Sequence, residues 1–573
     1  MDSRELEQTS IWNLYEKGRN YHRLTGVYVD TDRNYRMYNG NQWDGAKLGG
    51  IEPVQKNFIR PIVRYKVGVI HNNLYAINYS SQNFGNPAFS KEAERVCDLL
   101  NSYAARIWEK DKMDYKGRLL TKDAAINDEG ILYVRYDEEN QMPVNEIIKK
   151  NDVYYGNENH SDIQSQPYII IKKRMPVINA RELARSEGVS EEKLEMIVGD
   201  NDTIEESGEA AKQEIDDMVT VLYKFYKKDG TIKFGCATRY VTLAEDVDTG
   251  LTLYPVAHFN WEEREGSARG EGEVRGLIPN QIEVNRTEAR RVLSVKSQAF
   301  PQKVAVTSRI KNPSALETIG ATIKVDGNTI DDVKKIVGTL PPAQMSSDVK
   351  QLQDDLINMS RDLAGAGDIA TGSVNPEDAS GKAILAVQQA SQSPMTEQRE
   401  AYKNFIEDVA KIWLEYLIVY SREGLNVPDT VTDPQTGQEV MRMIRIPQVT
   451  LQQLQATVKV DVTPKSVYDR FAQEKTIENL LTGGWFNAQK VGELEIYAKV
   501  LDDDSVAPKM KIMEAISYIK EQQQRIAQVE AQAQMIQQRV NQFLAEGPEA
   551  QASQLAGSQM RQIAPVQQLN NVT

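Results

Sequence analysis

Apolar residues recur every three or four positions through most of the first 125 residues, and this spacing predicts helices. The helices predicted there cover Ile11–Leu24, Asn57–Asn73 and Lys91–Lys110. From residue 126 to residue 261 the pattern changes to short runs rich in β-branched and aromatic residues, which predict strands. The predicted strands are Ile131–Tyr136, Tyr168–Lys172, Val219–Tyr226 and Thr231–Cys236.

Residues 262–364 show a helix, an insert and a second helix in succession. The helical patterns cover Ala268–Ala299 and Ser346–Ala364, and the strand-and-turn insert covers Phe300–Ala343. Both helices have an apolar stripe and a polar opposite face. The stripe of the second helix is Val349, Leu352, Leu356, Met359 and Leu363. The polar cluster away from it is Asp354, Asp355, Asn358 and Asp362.

Residues 365–382 are rich in Gly, Ala, Ser and Asp without periodicity, which predicts a loop. A long helical pattern follows from residue 382 to residue 424, and Pro394 is expected to bend it. Strand-like sequence returns over residues 438–463, and helices are predicted again over Ser466–Leu481 and Ala488–Leu501.

The clearest periodic signal is a 3-4 apolar repeat over about five heptads from Pro508 to Phe543. It predicts a helix roughly 54 Å long. The residues expected to pack along it are Ile512, Ile519, Ile526, Val529, Ile536, Val540 and Phe543. Residues 547–573 are rich in Gln, Ala and Ser and are expected to be disordered.

The chain of 573 residues has a formal net charge of −14 and a pI near 5.1. Such acidity argues against a protein that sequesters nucleic acid, but it suits a wall past which DNA slides. Two cysteines, Cys97 and Cys236, fit a reducing cytoplasm. The N-terminus shows no signal-peptide pattern, and the most apolar run, Ile412–Tyr420, is short and contains Glu415, so no membrane span is expected.

Candidate chemistry is sparse. Gly266–Gly272 has the spacing of a dinucleotide-binding loop, but the glutamates on both sides would repel a pyrophosphate, so flexible glycines in a strand-to-helix turn explain it better. Gly372–Ala383 departs from a P-loop because Ala383 stands where Ser or Thr would bind Mg²⁺. The four histidines show no metal-ligand spacing. We therefore expect no catalytic residue, cofactor or metal.

Several blocks, in their order along the chain, resemble the portal (head-to-tail connector) proteins of tailed bacteriophages. Near the N-terminus the blocks are Tyr38–Trp43 and Asn57–Val63. Later blocks are Tyr254–Val256, Gly270–Gly272, Leu277–Arg286, Asp354–Leu363 and Ser380–Ile384. The Gln/Met/Ala-rich C-terminus is similar to that of short-tailed phage connectors. The resemblance extends over most of residues 30–545.

The resemblance implies an α+β portal fold and a ring of twelve subunits at one capsid vertex. Its parts would be a wing, a helical stem, a small β-containing clip, a channel loop and a C-terminal helical crown or barrel. The corresponding residues would be 1–261 and 383–505 (wing), 262–298 and 346–364 (stem helices), 299–345 (clip), 365–382 (channel loop), 506–546 (crown) and 547–573 (tail).

The resemblance also suggests roles for individual residues. In a ring, Asp354, Asp355, Asn358 and Asp362 would line the channel and repel phosphate. The loop residues expected near DNA are Asp368, Thr371, Ser373, Asn375 and Lys382. The clip has a basic patch for docking an acidic partner or DNA, and its residues are Lys303, Arg309, Lys311, Lys324, Lys334 and Lys335. For each set, ordinary solvated charge is the alternative interpretation.

The implied protein is not an enzyme. It would conduct double-stranded DNA without sequence specificity during packaging and ejection, and it would contact the terminase motor, a head-tail adaptor and the major capsid protein. It would assemble in the host cytoplasm and reside in the virion. The alternative is a cytoplasmic coiled-coil interaction scaffold that assembles through residues 512–543 and has no channel. A nucleotide-binding enzyme using Gly266–Gly272 ranks third.

Overall fold

The computed structural model describes residues 8–43, 52–72, 74–81, 87–200, 217–300, 303–318, 320–327, 329, 335–340, 345–346, 348–366, 393–421, 424–432, 439–446 and 458–465, with scattered residues between 518 and 541. The chain divides into two units, residues 1–464 and residues 465–573. Nearly all described residues belong to the first unit.

Helices begin and end where the sequence supplies caps. Helix α1 (Ser10–Thr25) starts after Thr9, whose hydroxyl accepts a hydrogen bond from the Trp12 N–H. Gly26, at φ +78°, ends α1 and separates it from α2 (Val27–Asn39). The other helices are α3 (Ile59–Ile70), α4 (Pro87–Lys110), α5 (Met113–Asn127), α6 (Val177–Ser186), α7 (Glu191–Leu194), α8 (Glu273–Ala299), α9 (Asp348–Leu363) and α10 (Thr396–Tyr420).

The strands form antiparallel sheets wherever their register is described. They are β1 (Leu74–Ser81), β2 (Glu129–Asp137), β3 (Met142–Ile148), β4 (Val153–Tyr155), β5 (Tyr168–Pro176), β6 (Met218–Lys228), β7 (Thr231–Ala237), β8 (Thr242–Asp248), β9 (Val256–Asn260), β10 (Lys303–Ala305), β11 (Val337–Thr339), β12 (Leu425–Thr432), β13 (Glu439–Ile446) and β14 (Val458–Lys465). One sheet has the order β3-β2-β9 and another β4-β5-β6-β7-β8, and the remaining pairs are β1-β14, β10-β11 and β12-β13.

The hairpin between β6 and β7 shows how sequence sets register. Asp229 and Gly230 both have positive φ, 56° and 83°, which is the type I′ geometry that two-residue hairpins favour. Lys228 therefore pairs with Thr231, and the five-stranded sheet continues from there. The strands predicted over Val219–Tyr226 and Thr231–Cys236 are confirmed, and they are longer by three residues and by one residue, respectively.

Helix α10 is the centre of the main core. It packs on β2, β3 and β9, and its Trp413 is fully buried while donating to Asn145 Oδ1 at 2.9 Å. Glu415, the acid that interrupts the most apolar run, is buried too. Its carboxylate accepts hydrogen bonds from the N–H groups of Thr252 and Leu253 at 2.5 and 3.0 Å. A buried acid is tolerated here because backbone donors satisfy it.

One helix boundary differs from the sequence-based expectation. The first long helix starts at Glu273, five residues after Ala268, because the preceding segment folds as a tight turn. Pro394 lies in the short 3₁₀ turn Ser393–Met395, and helix α10 starts directly after it at Thr396, while residues 382–392 of the predicted helix lie outside the described residues. Within the insert, β10 pairs with β11, and Val325 forms an isolated bridge with Ile310. Among the described helices, none is both long enough and apolar enough to cross a membrane.

Candidate functional site: the helix pair α8–α9 and its base

Arg269 is the centre of a buried ionic network at the base of α8. Its guanidinium donates to both carboxylate oxygens of Glu158, at 2.8 and 2.9 Å, and forms an ion pair with Glu129. It also donates to the Val153 carbonyl at 2.9 Å and lies 2.8 Å from Nε2 of His22. Bidentate contacts of this kind fix both distance and orientation.

The charges in this network hold one another in defined protonation states. Burial alone would raise the pKa of Glu129 and Glu158, but Arg269 and the neighbouring histidines lower both to about 2. Burial, reinforced by the Arg269 charge, lowers the pKa of His22 to about 4. At neutral pH the network therefore contains two carboxylates, one guanidinium and a neutral imidazole of His22.

The first turn of α8 is fixed by a second set of contacts. The Gly272 N–H donates to Asp128 Oδ1 at 2.7 Å, and Asp128 is itself paired with Lys150. Glu273 forms an ion pair with Lys66 at 2.5 Å. A carboxylate from the chain thus takes the position at the helix N-terminus where an anion would bind.

The glycines of this turn are needed for close packing. A Cβ on Gly270 would lie 2.5 Å from the Glu262 carbonyl oxygen, and one on Gly272 would lie 2.9 Å from the Asp128 nitrogen. Only Gly266, at φ +68°, uses conformational freedom. The expectation of flexible glycines is therefore wrong for Gly270 and Gly272, which allow the backbone of the turn to approach β2 and its flanking residues.

Helix α8 also binds the two N-terminal blocks of the resemblance. Gln281 Oε1 accepts from the Phe58 N–H at 3.0 Å, and Gln281 Nε2 donates to the Lys56 carbonyl at 2.9 Å. One turn later, Asn285 donates to Gln42 Oε1 at 2.5 Å. The Tyr38–Trp43 and Asn57–Val63 segments therefore meet on one face of α8, although more than 200 residues separate them from it in sequence.

Polar side chains form the seam between α8 and α9. Gln353 is completely buried, donates to Glu288 at 2.7 Å and accepts from Arg291 at 2.6 Å. Further along, Asn280 donates to the buried hydroxyl of Ser360 at 2.9 Å. The sequence analysis did not identify Gln353 or Ser360 as contact residues, although their seven-residue spacing places them on one helix face.

The apolar stripe of the second helix is only partly buried. Leu356 is half-buried against the core, whereas Leu352, Met359 and Leu363 are 53%, 61% and 75% exposed. These three residues form an apolar edge beside the seam. Most of the stripe is not covered within the chain, because Gln353 and Ser360 occupy the contact with α8.

The acidic residues of α9 lie on its outer side. Asp355, Asn358 and Asp362 are exposed, while Asp354 is half-buried, with Lys56 4.0 Å away. Asp355 follows Gln353 by two positions, and Asp362 follows Ser360 by two. A two-residue step turns the helix by about 200°, so these carboxylates point almost directly away from α8.

The structure spreads the predicted clip residues over the insert and engages several of them. Lys303 donates to the Leu316 carbonyl at 2.9 Å, and Lys311 pairs with Asp326 at 3.4 Å. The Lys324 N–H donates to Asn312 Oδ1 at 2.7 Å. Arg309 and Lys335 are exposed. Lys334 lies outside the described residues.

Other predicted residues lie outside the described part of the chain. These are Asp368, Thr371, Ser373, Asn375 and Lys382 of the proposed channel loop, with Ile512 and Phe543 of the C-terminal helix. In the second unit, the described residues between 518 and 541 are helical, and the heptad residues Ile526, Val529 and Ile536 are 57–64% exposed. Ile519 and Val540 are 42% and 49% exposed. Within the described residues, no group of His, Cys, Asp or Glu is placed to hold a metal ion.

Comparison with known proteins identifies the family. The family model of phage P22-like portal proteins matches residues 185–568, more than half of the chain. No curated protein matches the sequence. Members of this family are generally structural components of the phage virion, associated with the capsid as oligomers, and not enzymes. The match begins after the two N-terminal blocks and includes α8, the insert, α9 and the C-terminal heptads. This chain therefore belongs to the phage P22-like portal protein family.

Proposed function

We propose that copies of this protein close into a ring of twelve at one capsid vertex. The ring is the channel for genome packaging and ejection. It is also the platform on which the packaging motor (terminase), the head-tail adaptor and the major capsid protein assemble. In the proposed arrangement, α8 and α9 form the stem, residues 299–345 the clip, residues 365–382 the channel loop and residues 506–546 the crown.

The observation that favours a ring is the exposed apolar edge of α9. Leu352, Met359 and Leu363 lie side by side on a helix whose contact with α8 is already complete. Covering an exposed Leu or Met fully contributes about 1.5–3 kcal/mol. A neighbouring copy that covers this edge through a different surface of its own makes a head-to-tail contact, and such contacts form a ring when the rotation from copy to copy closes.

The position of the acids fits the same arrangement. With α8 outside, α9 inside and the apolar edges at the sides, Asp355 and Asp362 face the lumen together with Asn358. Asp354, near Lys56, lies at the margin of this surface. A wall of carboxylates repels the phosphates of passing DNA, so the duplex slides without binding tightly.

In this arrangement the insert contacts the motor and the tail adaptor, and the loop contacts DNA. Lys303, Arg309, Lys311, Lys324, Lys334 and Lys335 offer a basic surface for an acidic partner. Asp368, Thr371, Ser373, Asn375 and Lys382 constrict the channel next to DNA. Contacts with DNA are independent of base sequence because they involve only phosphates and duplex shape.

A triple substitution tests the ring. L352S/M359S/L363S removes the apolar edge and is expected to leave each chain folded but unable to close rings, as seen by native mass measurement and negative-stain imaging. The matched control is I178S, which alters an apolar residue that is 70% exposed on α6. Intact rings from the triple variant would contradict this use of the edge.

The exposed heptads favour a second candidate, a coiled-coil scaffold that assembles through residues 512–543. Chains truncated after Val506 separate the two. The ring hypothesis expects closed particles of the same subunit number, whereas the scaffold hypothesis expects monomers, since the assembling segment is gone. Full-length protein gives a large annulus in the first case and two to four subunits in the second.

A further inference from the structure

A group of positively charged side chains lies on the surface of the first unit, on helices that include two neighbours of the predicted stem helix α8. Helices α3 and α5 pack against each other, and α10 contacts α3. The cationic residues on these helices that concern us are Arg60, Arg64, Arg118, Lys122 and Arg399. We call this set the basic face. Within the described residues, none of the five forms an ion pair with a carboxylate.

Contacts with aromatic side chains show where the two ends of the basic face lie. The Arg60 guanidinium and the Lys122 ammonium each lie 5.9 Å from the centre of the Tyr38 ring, so both gather at the N-terminal end of α3. Arg64 follows Arg60 by one turn and is exposed. The Asp123 carboxyl beside Lys122 accepts a hydrogen bond from Tyr35 at 2.6 Å, and its negative charge offsets part of the Lys122 charge, so Arg60 and Arg64 supply most of the positive charge at this end.

The other end lies near His71, where α3 stops. Burial, and then the charge of Arg118, lower the pKa of His71 to about 4. The His71 and Tyr75 rings both contact Tyr402, at centroid distances of 4.9 and 5.1 Å, and Tyr402 follows Arg399 by one turn on α10. The basic face therefore extends along α3, a helix about 18 Å long.

Gly68 is a second and independent sign of a partner. It is exposed in the middle of the last turns of α3, and a Cβ built on it meets nothing within 4 Å. Packing within the chain thus does not require a glycine there, although glycine is among the poorest residues in a helix interior. One turn after Arg64, it leaves bare backbone on the same stripe, which a broad rigid surface can approach closely.

The chemistry of the face favours phosphate. Four of its five cations are arginines, whose planar guanidinium binds phosphate oxygens in pairs. The fully exposed positions of α3 are Arg60, Pro61, Arg64 and Gly68, so α3 offers no large apolar anchor of the kind that dominates protein–protein interfaces. Cations one helical turn apart are about 5–6 Å apart at Cβ, which suits neighbouring phosphates on one strand.

We infer that the basic face is a second DNA-contact surface, made of residues other than those assigned to the channel, which binds the phosphate backbone of a duplex without reading its sequence. The chain is acidic overall, so this attraction is local, and its strength depends steeply on salt. The inference does not require a ring, because all five residues belong to one chain.

The test measures binding of full-length protein to a fluorescent 20-bp duplex across a salt series. R60E/R64E is expected to weaken binding at least tenfold, and to reduce the slope of log affinity against log salt by about two, since each phosphate contact contributes roughly 0.9. R60Q/R64Q is expected to give a smaller loss in the same direction. The matched control, R185E/K193E, reverses two exposed charges on α6 and α7 and is expected to leave both quantities unchanged.

Other outcomes overturn the inference. If R60E/R64E binds the duplex with unchanged affinity and salt slope, the face does not contact DNA. If that variant keeps DNA binding but loses binding to poly-L-glutamate, the occupant is an acidic protein. Melting temperatures of the variants show whether they fold. Native mass, recorded on the same samples, reports ring assembly separately, so failure of the ring and failure of this surface are distinguishable.

Discussion

The base of α8 and the outer side of α9 belong to the same helix pair, but they differ in how many of their side chains have partners within the chain. At the base, Arg269, Glu129 and Glu158 are buried and bind one another, and Asp128 caps the helix. On α9, Leu352, Met359 and Leu363 face solvent. Side chains that are buried and paired within the chain, as at the base, stabilise the fold. Apolar and acidic side chains that remain exposed, as on α9, indicate a surface that contacts another molecule.

The largest loss of stability is expected from a substitution in the buried ionic network at the base of α8. R269M removes the cation from between two buried carboxylates and is expected to cost about 3–5 kcal/mol in the free energy of unfolding, since uncompensated buried charge is strongly destabilising. Urea denaturation measures the loss. R185M breaks an exposed ion pair with Glu191 and serves as the control, with no measurable change expected. Equal stability of the two variants would contradict the role given to Arg269.

A fall in pH is expected to destabilise the same ionic network. The pKa of His22 is about 4 in the folded protein, below the ordinary 6.5, so its contribution to stability is fully present above pH 6.5 and is lost as the pH falls to 4. The loss is about 3 kcal/mol for this group. Glu129 and Glu158, with pKa values near 2, lose their contribution below pH 4.5.

Denaturation midpoints recorded from pH 8 to pH 4 check this window. H22Q should flatten the curve between pH 6.5 and 4, while lowering stability at pH 7 because Arg269 loses a close partner. A curve for the unmodified protein that stays flat down to pH 4.5 would count against the buried neutral imidazole.

The seam between α8 and α9 gives an intermediate effect. Q353A leaves Glu288 and Arg291 without their buried partner, and it is expected to lower the free energy of unfolding by about 1–3 kcal/mol. Q351A, an exposed substitution on the same helix, is the matched control. If both variants unfold alike, the polar seam contributes nothing to holding the pair together.

The smallest effect concerns an open surface. G68A is expected to stabilise the protein by about 0.5–1 kcal/mol, because alanine is the better helix former and its Cβ meets no neighbour. G117A on α5 provides the contrast, since a Cβ there would lie 2.2 Å from the Tyr402 hydroxyl. Thermal melting separates a gain from a loss. A destabilised G68A would remove the argument that Gly68 serves a partner.

Local signals in the sequence were enough for most elements. The Asp229–Gly230 turn identifies its hairpin, and the spacing of apolar residues identifies α1, α4 and α9 to within a few residues, because these features depend on near neighbours in the chain. The family followed from the order of several blocks and is confirmed over residues 185–568.

The contacts that define the base and the seam were not predictable in this way. Arg269 binds residues from α1, β2 and the segment after β4, which are more than 100 positions away, so no local pattern indicates them. Periodicity shows which residues of α9 share its apolar face. It does not show which partner covers that face.

The anchoring of α8 has a geometric consequence for assembly. Asp128, Lys66 and Glu129 fix the tilt of this helix against the sheets before any neighbour arrives, so each copy enters the proposed ring as a wedge of preset angle. The number of wedges that complete a circle depends on that angle. A substitution at the base that leaves the fold intact but shifts the tilt would then yield annuli of altered circumference.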